Sequence, residues 1–231
     1  MTNTLLARLP SEQYDHFFSR LEKVTLESEQ VVIHRGERMS FVLFPLSCVL
    51  AKLVGNTDTK GIEVGVVGKE GVLPLYLFLG FAHSPFTIIV QNGGAALRMT
   101  AKSFHAEVAK CQRLQELFLR YTGEFLGQIS HSAACNRLHS VEQRYCRWLL
   151  MTHDRVGTDE FMLKQAFVGK ALGVRRMSIT PTAKKLEQAG FIKYSRGRIT
   201  ILNRNGIEGL ACDCYRQTVA CYTASSSLDQ K

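Results

Sequence analysis

Between Phe161 and Leu202 the spacing of apolar residues changes twice, and a glycine stands at each change. Lys164 to Leu172 has helical spacing, with Phe167, Ala171 and Leu172 on one face. Gly173 breaks it, as the tight turn between two such helices requires. A second helical run reaches about Gln188, with Ile179, Ala183 and Leu186 as its apolar face, and Gly190 stands where a residue just past a helix end is expected. Phe191 to Tyr194 and Arg198 to Leu202 then alternate like two strands around a Ser195-Arg196-Gly197 tip. Two helices, a turn and a hairpin in this order predict a winged helix-turn-helix. Arg175 and Arg176 sit where its second helix starts, the end that in such motifs faces base edges and phosphates.

Charge coincides with this segment. The chain of 231 residues carries a formal +9, and residues 155–208 hold eleven Lys and Arg against four Asp and Glu. Residues 1–154 hold 16 against 14. A basic segment beside a nearly neutral one is the electrostatic footprint of a protein that binds the phosphate backbone of double-stranded DNA.

The length suits two modest domains. The opening MTNTLLARLPSEQ lacks the basic start, apolar core and cleavage site of a signal peptide, so a cytoplasmic protein is expected. Between Glu70 and Arg98 no residue is charged, a run long enough to cross a bilayer. Pro74, His83, Pro85, Gln91, Asn92, Gly93 and Gly94 interrupt it, so buried strands and a loop are expected instead, with no membrane partner. Seven cysteines at irregular spacing predict free thiols in a reducing compartment. Cys212 and Cys214 form a CxC that is open to metal binding or oxidation but reads first as two incidental thiols. Scattered histidines, without an HxH or HxxxH array, predict no metal site and no cofactor.

Seven β-type runs lie between Val24 and Met99, at Val24–Leu26, Val31–His34, Phe41–Leu46, Val49–Val54, Ile62–Val67, Phe86–Gln91 and Ala95–Met99. Short strands at near-regular spacing predict an antiparallel jelly roll. Short helices are expected at Thr4–Leu9 and Ser11–Leu21, with Ser11 as a cap, and a connecting helix at Ala101–Ala109. From Arg113 to Asn136 an apolar stripe recurs at steps of three or four: Leu114, Leu117, Phe118, Tyr121, Phe125 and Ile129. So long a helix after a small barrel predicts a coiled-coil-like dimer contact through this stripe. The alternative is a core helix of the same subunit. Val141 to Leu150 begins a further helix. The whole reads as an α+β chain: a β-roll over 1–110, a dimerisation helix over 111–137, a winged helix-turn-helix over 138–208 and a flexible tail over 209–231.

A β-roll, a long helix and a winged helix-turn-helix in this order resemble the Crp/Fnr family of transcription regulators. The most specific stretches are RLHSVEQRYCRWLLMTHDRVG (137–157) and LGVRRMSITPTAKKLEQAGFIKYSRGRITIL (172–202). The resemblance implies a homodimer that binds a two-fold operator and works with RNA polymerase. By position it implies DNA contacts from Arg175, Arg176, Met177, Ser178 and Thr180 on the recognition helix, and from Arg196 and Arg198 on the wing. Members that bind cyclic nucleotides carry a Gly-Glu pair and then an Arg followed by Ser or Thr. Here Gly68, Glu70 and Gly71 echo the first part, but no Arg or Lys lies between Gly71 and Leu97. A buried phosphate without a cation is costly, so the cyclic nucleotide-binding-like domain is expected not to bind one, and the effector is unknown. With Cys48 as the first cysteine, the N-terminal iron–sulfur centre of oxygen-sensing members is not expected either. Pro181 falls inside the recognition helix, which therefore either starts later or is kinked. The competing functions are a cupin-like barrel enzyme, for which no strand supplies an HxH, and a ligand receptor without DNA binding, which the paired arginines oppose.

Overall fold

The computed structural model describes residues 2–57 and 60–226, with all of their side chains except those at 56, 57, 60, 165, 166, 176 and 224–226. All seven expected strands form: β1 (Glu22–Leu26), β2 (Val31–Ile33), β3 (Phe41–Pro45), β4 (Val49–Thr57), β5 (Lys60–Val67), β6 (Thr87–Asn92) and β7 (Gly94–Thr100). They make two antiparallel sheets, β1-β7-β3 and β2-β6-β4-β5. The inner faces of both, with Val42, Phe44, Leu50, Val90 and Ala96, meet in one apolar core. Helix α1 (Ser11–Phe18) differs from expectation at its start. Pro10 takes the cap position and Ser11 is the first helical residue, with no side-chain cap bond. Helix α2 (Ala101–Lys110) begins at Thr100, whose side chain accepts a hydrogen bond from the Ser103 amide.

Helix α3 (Gln112–Leu138) is the long helix, but its apolar stripe does not face a partner. Leu114, Leu117, Phe118, Tyr121 and Phe125 are buried in the roll's own core, and Ile129 packs half-buried against it. Phe118 lies against the rings of Phe44, Phe78 and Phe104. The expected dimer residues are therefore core residues, because the roll is open on one side and needs a helix to close it. The free face is the opposite one. Leu119, Gly123, Leu126, Ser130, Ala133 and Arg137 are exposed at alternating steps of four and three, and Leu119 and Leu126 are 60% and 58% exposed.

A capping box of Ser140 and Gln143 starts α4 (Val141–Val156). There follow β8 (Glu160–Met162), α5 (Gln165–Ala171), α6 (Arg176–Gln188), β9 (Ile192–Ser195) and β10 (Arg198–Ile201). The last three strands form a small sheet in the order β8-β10-β9. After α7 (Arg204–Leu210), the tail expected to be flexible over 209–231 instead forms α8 (Cys214–Ser226), and its residues 227–231 lie outside the described ones. Helix α8 returns to α3. The Gln128 Nε2 donates to the Tyr222 hydroxyl at 2.6 Å, and Thr218 is buried. Tyr215, Thr218 and Tyr222 recur at helical spacing, so one face of α8 has somewhere to go.

Candidate functional site

The recognition unit is built as the spacing implies. Val168, Ala171, Ile179, Ala183 and Leu186 fix α5 and α6 on α4 through a core shared with Tyr145, Trp148 and Leu149. Gly173 takes φ +63° in the turn, and the Arg144 guanidinium on α4 donates to the Leu172 carbonyl, pinning the turn to the domain. With the inner face of α6 fixed, its outer face is open. Arg175, Met177 and Ser178 are exposed, Met177 at 82%, while Thr180 is half-buried. The Arg176 side chain lies outside the described ones, although its backbone opens the helix. Helix α6 does not start late: it runs from Arg176 through Pro181 to Gln188. Pro181 has no amide hydrogen to offer the Met177 carbonyl.

The wing tip is a two-residue turn. Arg196 and Gly197 both have positive φ, +48° and +78°, and Ser195 pairs with Arg198 in register. Positive φ at both central residues is the turn that matches the twist of a hairpin. Arg198 stands differently from Arg196: its Nη1 lies 2.7 Å from Glu160 Oε1 on β8. Both partners are exposed, so the pair is weak and open to exchange.

This unit docks on the roll of the same chain. Trp148 Nε1 donates to Glu63 Oε1 on β5 at 3.1 Å, and Gln91 Nε2 donates to Thr152 Oγ1 at 2.8 Å. Arg155 Nε lies 2.7 Å from Glu70 Oε1, and Asn92 Nδ2 donates to the Met162 carbonyl. The second oxygen of Glu63 is sealed off without a partner. Burial lifts this carboxyl from 4.5 to about 7, against the opposing pull of the Trp148 hydrogen bond and then of Arg155 and Arg147. The residues that faintly echo a nucleotide site thus join the domains. Gly71, for its part, is needed for close packing: a Cβ there would fall 2.1 Å from the Tyr121 hydroxyl.

A cation does occupy the roll interior, supplied from outside the 71–97 stretch. Lys52 on β4 is 3% exposed, with its Nζ 3.7 Å from the centre of the Phe86 ring and 4.7 Å from that of Tyr76. Burial pulls its ammonium down from 10.5 to about 8, while the ring faces favour the charged form. Beside the domain junction, Glu70, Arg155, Arg204, Tyr215 and Tyr222 line a cavity of about 380 Å³.

All seven cysteines are free thiols. Where the sequence reads as scattered thiols and histidines, the fold gathers Cys135, His139, Cys212 and Cys214, with their ligand atoms all within 4.8 Å of one another. The available signal was a Cys-x3-His step, Cys135 to His139, which puts both on one helix face. These four side chains are a candidate ligand set that the spacing along the chain does not show.

Residues 143–210 match the family model described as a Crp-like helix-turn-helix domain. No curated protein matches the chain in sequence. Among solved structures, FixK2 from Bradyrhizobium japonicum is similar at a TM-score of 0.71 and 11% identity, over 83% of this chain and 98% of that one. A putative transcriptional regulator of the crp/fnr family from Eubacterium rectale gives 0.65 and 18% identity, over 89% and 96%. The c-di-GMP-responsive global regulator CLP from Xanthomonas campestris gives 0.66 and 11%, over 83% and 99%. Likeness at these identities concerns the fold. Roll, long helix and winged domain are arranged as in these regulators.

Proposed function

We propose, from a C-terminal domain of the Crp-like helix-turn-helix family set in a Crp/Fnr-type fold, that this protein is a sequence-specific DNA-binding transcription regulator. One observation carries the reading: the outer face of α6 is open beside the wing tip, inside the most basic part of the chain. Arg175, Arg176, Met177, Ser178 and Thr180 would meet bases and phosphates, and Arg196 and Arg198 the flanking backbone. The fold is one of regulators rather than catalysts, which sets aside the barrel-enzyme alternative. Among the described residues no helix is long and apolar enough to cross a membrane, and cytoplasmic action with RNA polymerase follows from the role.

The active form is a homodimer on a two-fold operator. Its contact is the exposed face of α3, where Leu119 and Leu126 stand among Gly123, Ser130 and Ala133, at the 4-3 steps of a coiled-coil seam. Cyclic nucleotides are not the effector, because Tyr121 closes over Gly71 and Glu70 is engaged by Arg155. The test is selection of bound fragments from genomic DNA, followed by affinity measurements on the selected site over a salt series. A pseudo-palindrome with half-sites about one helical turn apart is expected. Equal affinity for the selected site and random DNA would refute sequence-specific regulation.

A further inference from the structure

The Cys135, His139, Cys212 and Cys214 cluster joins two parts of the chain that are far apart in sequence. Cys135 lies in the last turn of α3, and His139 is the residue that ends it. Cys212 lies in the link between α7 and α8, and Cys214 begins α8. The Cys135 and Cys212 sulfurs are 3.4 Å apart, and the Cys214 sulfur is 3.6 Å from His139 Nδ1. The three cysteines are 1%, 5% and 5% exposed. Four thiol and imidazole donors converging from different elements are the ligand set of a closed tetrahedral site.

The spacing selects a single ion. In a tetrahedron with metal–sulfur bonds of about 2.3 Å and a metal–nitrogen bond of about 2.0 Å, ligand atoms stand roughly 3.5–3.8 Å apart. Separations of 3.4 and 3.6 Å need only small adjustment to reach that geometry, and the others, which reach at most 4.8 Å, close to it by about 1 Å or less. An iron–sulfur cluster puts several irons and bridging sulfides between its ligands and needs a wider cage. Three sulfurs and one imidazole favour zinc over magnesium or calcium, which take oxygen ligands.

Charge is the independent observation. Arg144 and Arg147 on α4 are 9% and 8% exposed, and among the described residues they bond to a carbonyl and to hydroxyls rather than to a carboxylate. The Nε of each is buried and without a hydrogen-bond partner. Arg147 reaches Ser132 Oγ at 3.0 Å and Thr218 Oγ1 at 3.5 Å, each one turn from a cluster cysteine on its own helix. Both guanidinium charges act on Cys135. Two buried cations without a paired carboxylate are costly. A zinc ion held by three thiolates and a neutral imidazole carries a net negative charge, and supplies a counter-charge.

We propose that Cys135, His139, Cys212 and Cys214 bind one zinc ion per chain, as a clasp that fastens α8 to the end of α3 at the joint with the DNA-binding domain. Binding releases three thiol protons to solvent as the thiolates form bonds to the metal, and no redox step is involved. The inference stands whether or not the protein binds DNA.

The full-length protein, purified from cells grown with zinc, tests this directly. Metal analysis should find one zinc per chain, and removal by a chelator should lower the melting temperature and expose α8 to protease. Cobalt should then replace zinc, with the intense visible bands of tetrahedral coordination and a sulfur-to-cobalt charge-transfer band. Cys212→Ser and His139→Ala should each weaken cobalt binding by about 100-fold or more, since loss of outer-shell partners alone costs about 10–100-fold. His139→Cys should retain tetrahedral cobalt, and Cys221→Ser, whose thiol lies beside His131 instead, should bind like the parent. Zinc well below one per chain, a pale six-coordinate cobalt spectrum, an isolated protein carrying iron and acid-labile sulfide, or equal loss in Cys221→Ser would each overturn the proposal.

Discussion

Replacing Glu63 by Gln perturbs the one carboxyl that receives a hydrogen bond from the docked Trp148. Its ordinary value of 4.5 is lifted to about 7, burial being the largest cause. Between pH 4.5 and 7 the folded chain holds this proton and the unfolded chain does not. Stability therefore falls as pH rises through that window and stays reduced above it. The full loss is on the order of 3 kcal/mol above pH 7. In Glu63→Gln the amide oxygen still accepts from Trp148, and the amide nitrogen takes the place of the partnerless Oε2. The variant should thus be more stable than the parent at pH 8, by up to about 3 kcal/mol, and no more stable below pH 4.5. Urea unfolding at a series of pH values measures this. Trp148 is the single tryptophan, so its fluorescence reports the same proton without unfolding. A titration centred near pH 7 is expected in the parent and none in the variant. If Glu63→Gln is less stable at pH 8, or differs from the parent by the same amount at every pH, the buried-carboxyl reasoning fails.

On the wing, Arg196→Ala should flatten the slope of log affinity against log salt by about one per monomer. Arg198→Ala should flatten it less, because Arg198 must first leave Glu160; the reverse order would put the tip away from the phosphates. In α3, Leu126→Arg should give folded monomers by sedimentation, while Phe118→Ala should cost about 3–5 kcal/mol of stability and leave association unchanged. A dimeric Leu126→Arg protein would move the seam elsewhere. Lys52 titrates near 8 when folded and 10.5 when unfolded, so the parent should gain stability as pH rises between those values. Lys52→Met should be flat over that range, and a profile identical to the parent's would show that the ammonium is not desolvated.

The parts of this fold that were legible share one property: their signals are local. Alternation with glycine punctuation located all seven strands of the roll, and helical spacing around Gly173 located α5 and α6. The stripe on α3 was equally clear, but a stripe says only that it is buried, not against what. Phe118 and Tyr121 face their own roll because the roll lacks a wall there. Helix α8 escaped because its apolar side is made of Tyr, Thr and Cys, which read as polar until a partner such as Gln128 is in place. Lys52 was missed because the cation comes from β4, outside the stretch where a phosphate ligand was sought. Strand β8 is three residues long and alternates too briefly to register. The cysteine cluster spans 77 residues between Cys135 and Cys212, a distance over which spacing carries no information.

The return of α8 to α3 changes the kinematics of the molecule. A winged domain hung from α3 only at Ser140 would swivel about a point, with three rotations free. Here the chain leaves that domain through α7 and comes back to the same helix, where Tyr222 holds Gln128 and Cys221 abuts Gly127. Once the Trp148–Glu63 and Arg155–Glu70 contacts with the roll let go, two attachments to one rigid rod would leave a single easy rotation, about the line that joins them. Any signal that reorients α6 must then either turn the domain about this line or lift α8 away first. Released from the roll, such a domain would move as a door does, and the direction in which Arg175 could swing is set before any effector arrives.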